Sequence, residues 1–205
     1  MTKNTNEVIK GNNFRTLQII FVGRSNVGKS TLITALTGKK LRAGRRPGVT
    51  RKPLHVPYQD FQIADMPGFG FMSGVSAESQ DAIKDSIIHY IEDNVGNIAL
   101  AVMVVNATSF AEIVDRWIGR NEIPVEVELF EFLRELNIDT IVAANKIDKV
   151  KDINKTLDGI AERLGMMPPW RQWLDMILPV SAKKGEIMEL KKLIQKKLEE
   201  KRHGE

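Results

Sequence analysis

The chain has 205 residues, 42% hydrophobic and 27% charged, which suits one domain with a sizeable core. It contains no cysteine, so disulfides, thiolate metal sites and a cysteine nucleophile are excluded. Thirty Lys and Arg against 26 Asp and Glu give a net charge of +4, a mild basic excess that permits a nucleic-acid partner without requiring one. No apolar run reaches the length of a membrane span, and residues 1–16 lack the apolar core of a secretory signal. A cytoplasmic protein with no membrane association is expected.

Residues 1–16 read as a short lead-in and residues 17–205 as a single domain. Leu17-Gln18-Ile19-Ile20-Phe21-Val22 is apolar almost throughout, as a central parallel strand should be. It runs into Gly23-Arg24-Ser25-Asn26-Val27-Gly28-Lys29-Ser30, and Thr31-Leu32-Ile33 then opens a helix ending near Gly38. Strand, glycine loop, Lys-Ser and helix make up the phosphate-binding loop. Its glycines let backbone N–H groups turn inward around phosphate oxygens, and the helix N-terminus adds a favourable dipole and unpaired donors. Lys29 is placed to reach the β- and γ-phosphates, and the Ser30 hydroxyl to ligate Mg²⁺.

Residues 39–52 carry Lys39, Lys40, Arg42, Arg45, Arg46, Arg51 and Lys52 with no acid among them, and Gly44, Pro47 and Gly48 make the segment a loop. Residues 54–58 and 61–64 pair as two short strands around Gln59-Asp60. The second leads into Asp65-Met66-Pro67-Gly68, followed by Phe69-Gly70-Phe71. Residues 76–94 form a helix capped by Ser76, with Ile83, Ile87, Tyr90 and Ile91 on its apolar stripe. Residues 98–105 are the longest apolar run and read as a fully buried strand. Residues 106–124, with Trp117, are expected to be a long connection. The order then continues as helix 125–136, strand 140–144, helix 152–164, strand 176–180 and helix 186–201. This alternation implies an α/β fold with a six-stranded, mostly parallel sheet and helices on both faces. Ligands on such sheets bind at the carboxyl ends of the strands. The loops after Val22, Ala64, Ala144 and Val180 all fall at that edge.

Asp65, at a strand end, is expected to hold the Mg²⁺ shell. Gly68 has no side chain, so its N–H can approach a γ-phosphate and sense its presence. Thr50 is the only threonine in the basic loop, and its hydroxyl can complete the Mg²⁺ shell. Asn145-Lys146-Ile147-Asp148 argues for the base. The Asp148 carboxylate can accept from the N1–H and the exocyclic amino group of guanine, donors that adenine does not offer in that geometry. Asn145 can bond guanine N7 and tie the loops together, the Lys146 stem can lie across the ring, and the Ala182 N–H can donate to guanine O6 with Ser181 shaping the turn.

In this order the motifs resemble those of the TRAFAC translation-factor-like GTPases, and in particular the EngB/YihA family. The resemblance rests on Gly23 to Ser30, Pro47-Gly48-Val49-Thr50-Arg51, Asp65 to Phe71, Asn145 to Asp148 and Ser181-Ala182-Lys183, and spans about residues 17–200. It implies a P-loop NTPase domain of the Ras-like GTPase fold that binds GTP and GDP. The nucleotide would lie against Gly23, Arg24, Ser25, Asn26, Val27, Gly28, Lys29, Ser30 and Thr31. It would also touch Gly48, Val49, Thr50, Arg51 and Lys52, then Asp65, Met66, Pro67 and Gly68, then Asn145, Lys146, Ile147 and Asp148, and finally Ser181, Ala182 and Lys183. Lys29, Thr50, Gly68 and Asn26 take catalytic roles, and Ser30, Thr50 and Asp65 the metal. The resemblance further implies a monomeric, cytoplasmic GTPase acting in assembly of the large ribosomal subunit and linked to normal cell division and septation. Phenylalanines replace tyrosines common in the family, Asn145 stands where many members have threonine, and the 106–124 connection is longer, which points to a divergent branch.

Many GTPases orient the attacking water with a glutamine just after the Asp-x-x-Gly motif. Phe69 occupies that position here, so a low intrinsic rate is expected, at or below about 10⁻² s⁻¹. Asn26 resembles an asparagine that ligates K⁺ in cation-activated relatives, and a ribosomal partner is the other source of help. The basic loop 39–52 can serve the triphosphate, RNA phosphates or both. Two other readings stand beside this one: a nucleotide-gated RNA- or ribosome-binding module with negligible hydrolysis, and an ATP-dependent P-loop enzyme, which Asp148 opposes.

Overall fold

The computed structural model describes residues 17–41, 52–70 and 76–203. The lead-in 1–16, most of the basic loop with Gly48, Val49, Thr50 and Arg51, and Phe71 lie outside the described residues. The strands are β1 (Gln18–Val22), β2 (Leu54–Tyr58), β3 (Phe61–Asp65), β4 (Ile98–Asn106), β5 (Thr140–Asn145) and β6 (Ile177–Val180). The helices are α1 (Lys29–Thr37), α2 (Ala77–Asn94), α3 (Phe110–Ile118), α4 (Val125–Glu135), α5 (Ile153–Arg163) and α6 (Met188–His203).

One six-stranded sheet runs in the order β2-β3-β1-β4-β5-β6. Only β2 is antiparallel, pairing with β3 around the turn at Gln59 and Asp60. β3, β1, β4, β5 and β6 are parallel, so their carboxyl ends share one edge. The chain leaves β1 for β3 on one side and returns to β4 on the other, which opens a crevice above β1.

Period-two side chains sort the core into two layers. Ile20, Val22, Ala101, Met103 and Val105 pack under α2, α3, α4 and α5. Ile19, Phe21, Leu100, Val102 and Val104 pack under α1 and α6. Each such fully buried aliphatic side chain contributes about 1.5–3 kcal/mol relative to exposure. The β4 run is therefore apolar at every position from Ile98 to Val105 because both of its faces are covered.

The helix caps follow the sequence signals. The Ser76 hydroxyl accepts from the Ser79 N–H, and Asp152 accepts from the Lys155 N–H. The expected connection over residues 106–124 needs correcting, because it contains the nine-residue helix α3. Only Phe110 and Val114 of α3 are buried, and Ser109 before it makes no side-chain cap. Phe110 and Val114 anchor the helix in the core, and at the surface Arg163 of α5 donates from Nε and Nη2 to Asp115 at 2.7 and 2.6 Å.

Candidate functional site

The loop between β1 and α1 is built on glycines whose side-chain space is already filled. Gly23 has φ +150°, and a Cβ there would meet the Val104 carbonyl oxygen at 2.3 Å. Gly28 has φ +102°, and its Cβ would meet Asn145 Nδ2 at 2.3 Å. Among the described residues no side chain caps α1 and its first turn holds no acid, so the positive end of the helix dipole faces the crevice. That is an anion-binding end.

Lys29 and Asp65 converge beneath this loop. Lys29 is 8% exposed, and its Nζ lies 3.7 Å from Asp65 Oδ1. The Ser30 hydroxyl donates to Asp65 Oδ2 at 3.2 Å. Asp65 Oδ1 is buried and accepts no hydrogen bond from any described residue. A buried carboxylate oxygen with spare acceptor capacity beside a serine hydroxyl is the hard-oxygen donor set that Mg²⁺ requires, so the residues fit that ion.

The segment after β3 lies on the phosphate loop. A Cβ on Gly68 would come within 2.9 Å of Ser25 Cα and 3.0 Å of Ser25 N, so only glycine allows this approach. The Ser25 N–H donates to the Phe69 carbonyl at 3.0 Å, and Arg24 bridges Phe69 through the backbone. The Phe69 side chain is 2% exposed and turns away from the crevice into the layer under α2 and α4. It carries no group that could orient water.

At the other end of the crevice Asn145 is 3% exposed and uses both halves of its amide. Nδ2 donates to the Val27 carbonyl at 2.8 Å, and Oδ1 accepts from the Ala182 N–H at 3.0 Å. It thereby ties the phosphate loop to the loop after β6. The expected donation from Ala182 to a base oxygen changes accordingly, because that N–H is committed to Asn145. Lys146 takes a left-handed backbone (φ 66°), and its Nζ donates to the Asn26 carbonyl at 2.8 Å. Burial, and then the charge of Lys149, lower the Lys146 pKa. The Ser181 hydroxyl donates to Asp148 Oδ1 at 2.8 Å, and that bond is the main reason the Asp148 carboxyl sits below the ordinary carboxylate range. Asp148 therefore stands ionised and oriented by the Ser181 hydroxyl.

The motif residues divide by role. Val27, Met66 and Ile147 are buried packing residues. Asn26 is exposed with φ 64°, a conformation asparagine tolerates better than most residues, so the backbone alone accounts for it. Thr31, Lys52 and Lys183 are exposed. One contributor had no sequence signal: Glu126, which pairs with Arg24. In sequence it reads only as an acid in the first turn of α4 that suits the helix dipole.

Phosphate loop, hydroxyl-carboxylate pair and the carboxylate held by Ser181 on one edge of this sheet define a P-loop GTPase domain of the Ras-like fold. The profile of a family described as 50S ribosome-binding GTPase matches residues 18–146. The probable GTP-binding protein EngB of Methanosarcina mazei is 56% identical over 186 residues, covering 90% of this chain and 89% of that protein. Its namesake in Pyrococcus abyssi is 52% identical over 171 residues, covering 83% and 80%. A crystal structure of a probable GTP-binding protein EngB is 50% identical, with a TM-score of 0.83 over 89% of this chain and 99% of the other. Era from a complex with MgGDPNP and a segment of 16S ribosomal RNA is 26% identical, with a TM-score of 0.58 over 89% and 56%. The chain belongs to the EngB family of GTPases.

Proposed function

We propose that this protein is a guanine-nucleotide switch that hydrolyses GTP slowly and acts, as a cytoplasmic monomer, on the large ribosomal subunit during its assembly. The observation that carries the guanine part is Asp148, ionised and aimed by Ser181 at the end of a crevice whose other end is a phosphate loop. The carboxylate accepts from guanine N1–H and the exocyclic amine. The second N–H of Asn145 Nδ2 is available to N7, and the Lys146 stem lies along the loop crest as one wall for the ring. Lys29 and the leading N–H groups of α1 receive the phosphates.

Ser30 and Asp65, with Thr50 from the basic loop, would hold Mg²⁺, which supplies charge neutralisation at the β- and γ-phosphates. Gly68 offers its N–H to the γ-phosphate from a position only glycine can occupy. Because Phe69 points into the core, activation comes from outside this segment: K⁺ beside Asn26, or a ribosomal group. The family description and the RNA-bound relative support a ribosomal partner, and the basic residues 39–52 suit RNA phosphates. A link to cell division and septation would follow from that assembly role.

The buried Phe69 also favours a second reading, in which nucleotide occupancy alone gates ribosome binding and hydrolysis is negligible. Single-turnover GTP hydrolysis with and without purified ribosomal subunits separates the two. The base assignment is tested with Asp148→Asn, which turns one acceptor into a donor. GTP affinity should fall on the order of a hundredfold or more while xanthine nucleotides gain. Unchanged GTP affinity would remove the guanine reading.

A further inference from the structure

The phosphate loop is fastened to α4, a helix that carries none of the nucleotide motifs. The Arg24 guanidinium forks onto Glu126, Nε to Oε1 and Nη2 to Oε2, the latter at 3.1 Å. The two side chains are 12% and 5% exposed, and 102 residues separate them in sequence. A buried ion pair adds little net stability over apolar side chains of the same size, but removing one partner strands the other charge. Its specific consequence is geometric, because a bidentate fork fixes both position and plane.

What the fork fixes is the segment that would read the γ-phosphate. A Cβ on Gly70 would meet Arg24 Nη1 at 2.5 Å, so the guanidinium lies directly over that glycine. Phe69 is zipped to the backbone of Arg24 and Ser25, and Gly68 rests on Ser25. Any displacement of residues 68–70 must therefore push the guanidinium off Glu126 or carry α4 with it. A second fastening lies beside the first. The Phe69 ring reaches a small apolar cleft between α2 and α4, lined by Ile87, Ile88, Val125 and Leu129. Lys84 and Glu128 close that cleft with an ion pair of 2.6 Å.

We infer that Glu126 is a positioning residue for the γ-phosphate response. Through Arg24 it couples residues 68–70 to the first turn of α4, so that the nucleotide state is written onto the α2–α4 face. This rests on the guanine-nucleotide reading above. GDP and a non-hydrolysable GTP analogue are titrated into the wild-type protein, Glu126→Gln and Glu126→Asp. Gln keeps the size and loses the charge, whereas Asp keeps the charge at shorter reach. The ratio of GTP-analogue to GDP affinity should move by about fivefold or more in Glu126→Gln, with GDP affinity itself within about twofold, and Glu126→Asp should recover part of the ratio. An unchanged ratio, or equal losses for both nucleotides, overturns the inference, since mere support of the loop would weaken both alike. A wild-type protein that binds neither nucleotide would overturn the parent reading as well.

Since a stranded guanidinium can prevent folding, amide hydrogen exchange over residues 125–129 is read in parallel on the wild-type protein. Protection there should differ between the GDP and GTP-analogue complexes. Identical protection overturns the coupling whatever the variants do.

Discussion

Asn145 offers a perturbation whose size can be worked from its contacts. Its amide donates to the Val27 carbonyl at 2.8 Å and accepts from the Ala182 N–H at 3.0 Å, and both bonds are buried. Asn145→Ala removes the two partners together and leaves a carbonyl and an N–H without water. Each orphan costs about 1–3 kcal/mol, so the sum is about 2–6 kcal/mol. Against a typical total of about 5–15 kcal/mol this is a large loss. At about 2–4 °C per kcal/mol for a chain of this size, the melting temperature should fall by about 4–24 °C. Asn145→Thr supplies one hydroxyl in place of two separated polar atoms. It can serve one of the two groups well but does not span both, so roughly half the loss is expected. Both variants are unfolded by heat and by denaturant without nucleotide, because bound ligand adds its own stabilisation. An alanine variant losing less than about 1 kcal/mol, or a threonine variant losing as much as alanine, would refute the assignment of Asn145 as the tie between the two loops.

Four further outcomes are expected. Ser181→Ala deletes the main cause of the lowered Asp148 pKa. Guanine binding needs the carboxylate, and a depressed folded-state pKa means that its stabilising contribution is present above the ordinary carboxylate pKa and lost as pH falls through the lowered value. GDP affinity measured across acid pH should therefore fail at higher pH in Ser181→Ala than in the wild type, and superimposable profiles would refute the role of the hydroxyl. Gly23→Ala drives a Cβ to 2.3 Å from the Val104 carbonyl and should cost about 3 kcal/mol or more with loss of nucleotide binding. Gly38→Ala, at φ +68° with nothing within 4 Å, should cost only the left-handed backbone, about 1–2 kcal/mol, with binding kept. GTP turnover in K⁺ should exceed that in Na⁺, and equal rates would leave Asn26 as a turn residue.

Much of the site was legible because its parts are local. Strand, glycine loop and Lys-Ser occupy fourteen residues, Leu17 to Ser30, and the Asn145 to Asp148 run follows directly on an apolar strand. α3 was not foreseen although its nine residues are strongly amphipathic: it spans barely two and a half turns, only Phe110 and Val114 are buried and no side chain caps its start. The destination of the Ala182 N–H was equally hidden. The sequence places that donor near the base but does not show that Asn145 takes it, 37 residues earlier in the chain.

Sequence alone determined the class of fold and the GTPase family, and it located the residues of the candidate phosphate and base sites. Apolar periodicity and short motifs depend only on neighbours within a few residues. Only the tertiary structure decided that β1 lies between β3 and β4, which brings Gly68 onto Ser25 and turns Phe69 inward. It likewise decided that Arg24 meets Glu126 and that Asn145 meets Val27, across 102 and 118 residues. These pairings depend on the order in which strands dock, and no local pattern encodes that order. A charged side chain at a loop or helix start reads the same in sequence whether it faces water or a buried partner.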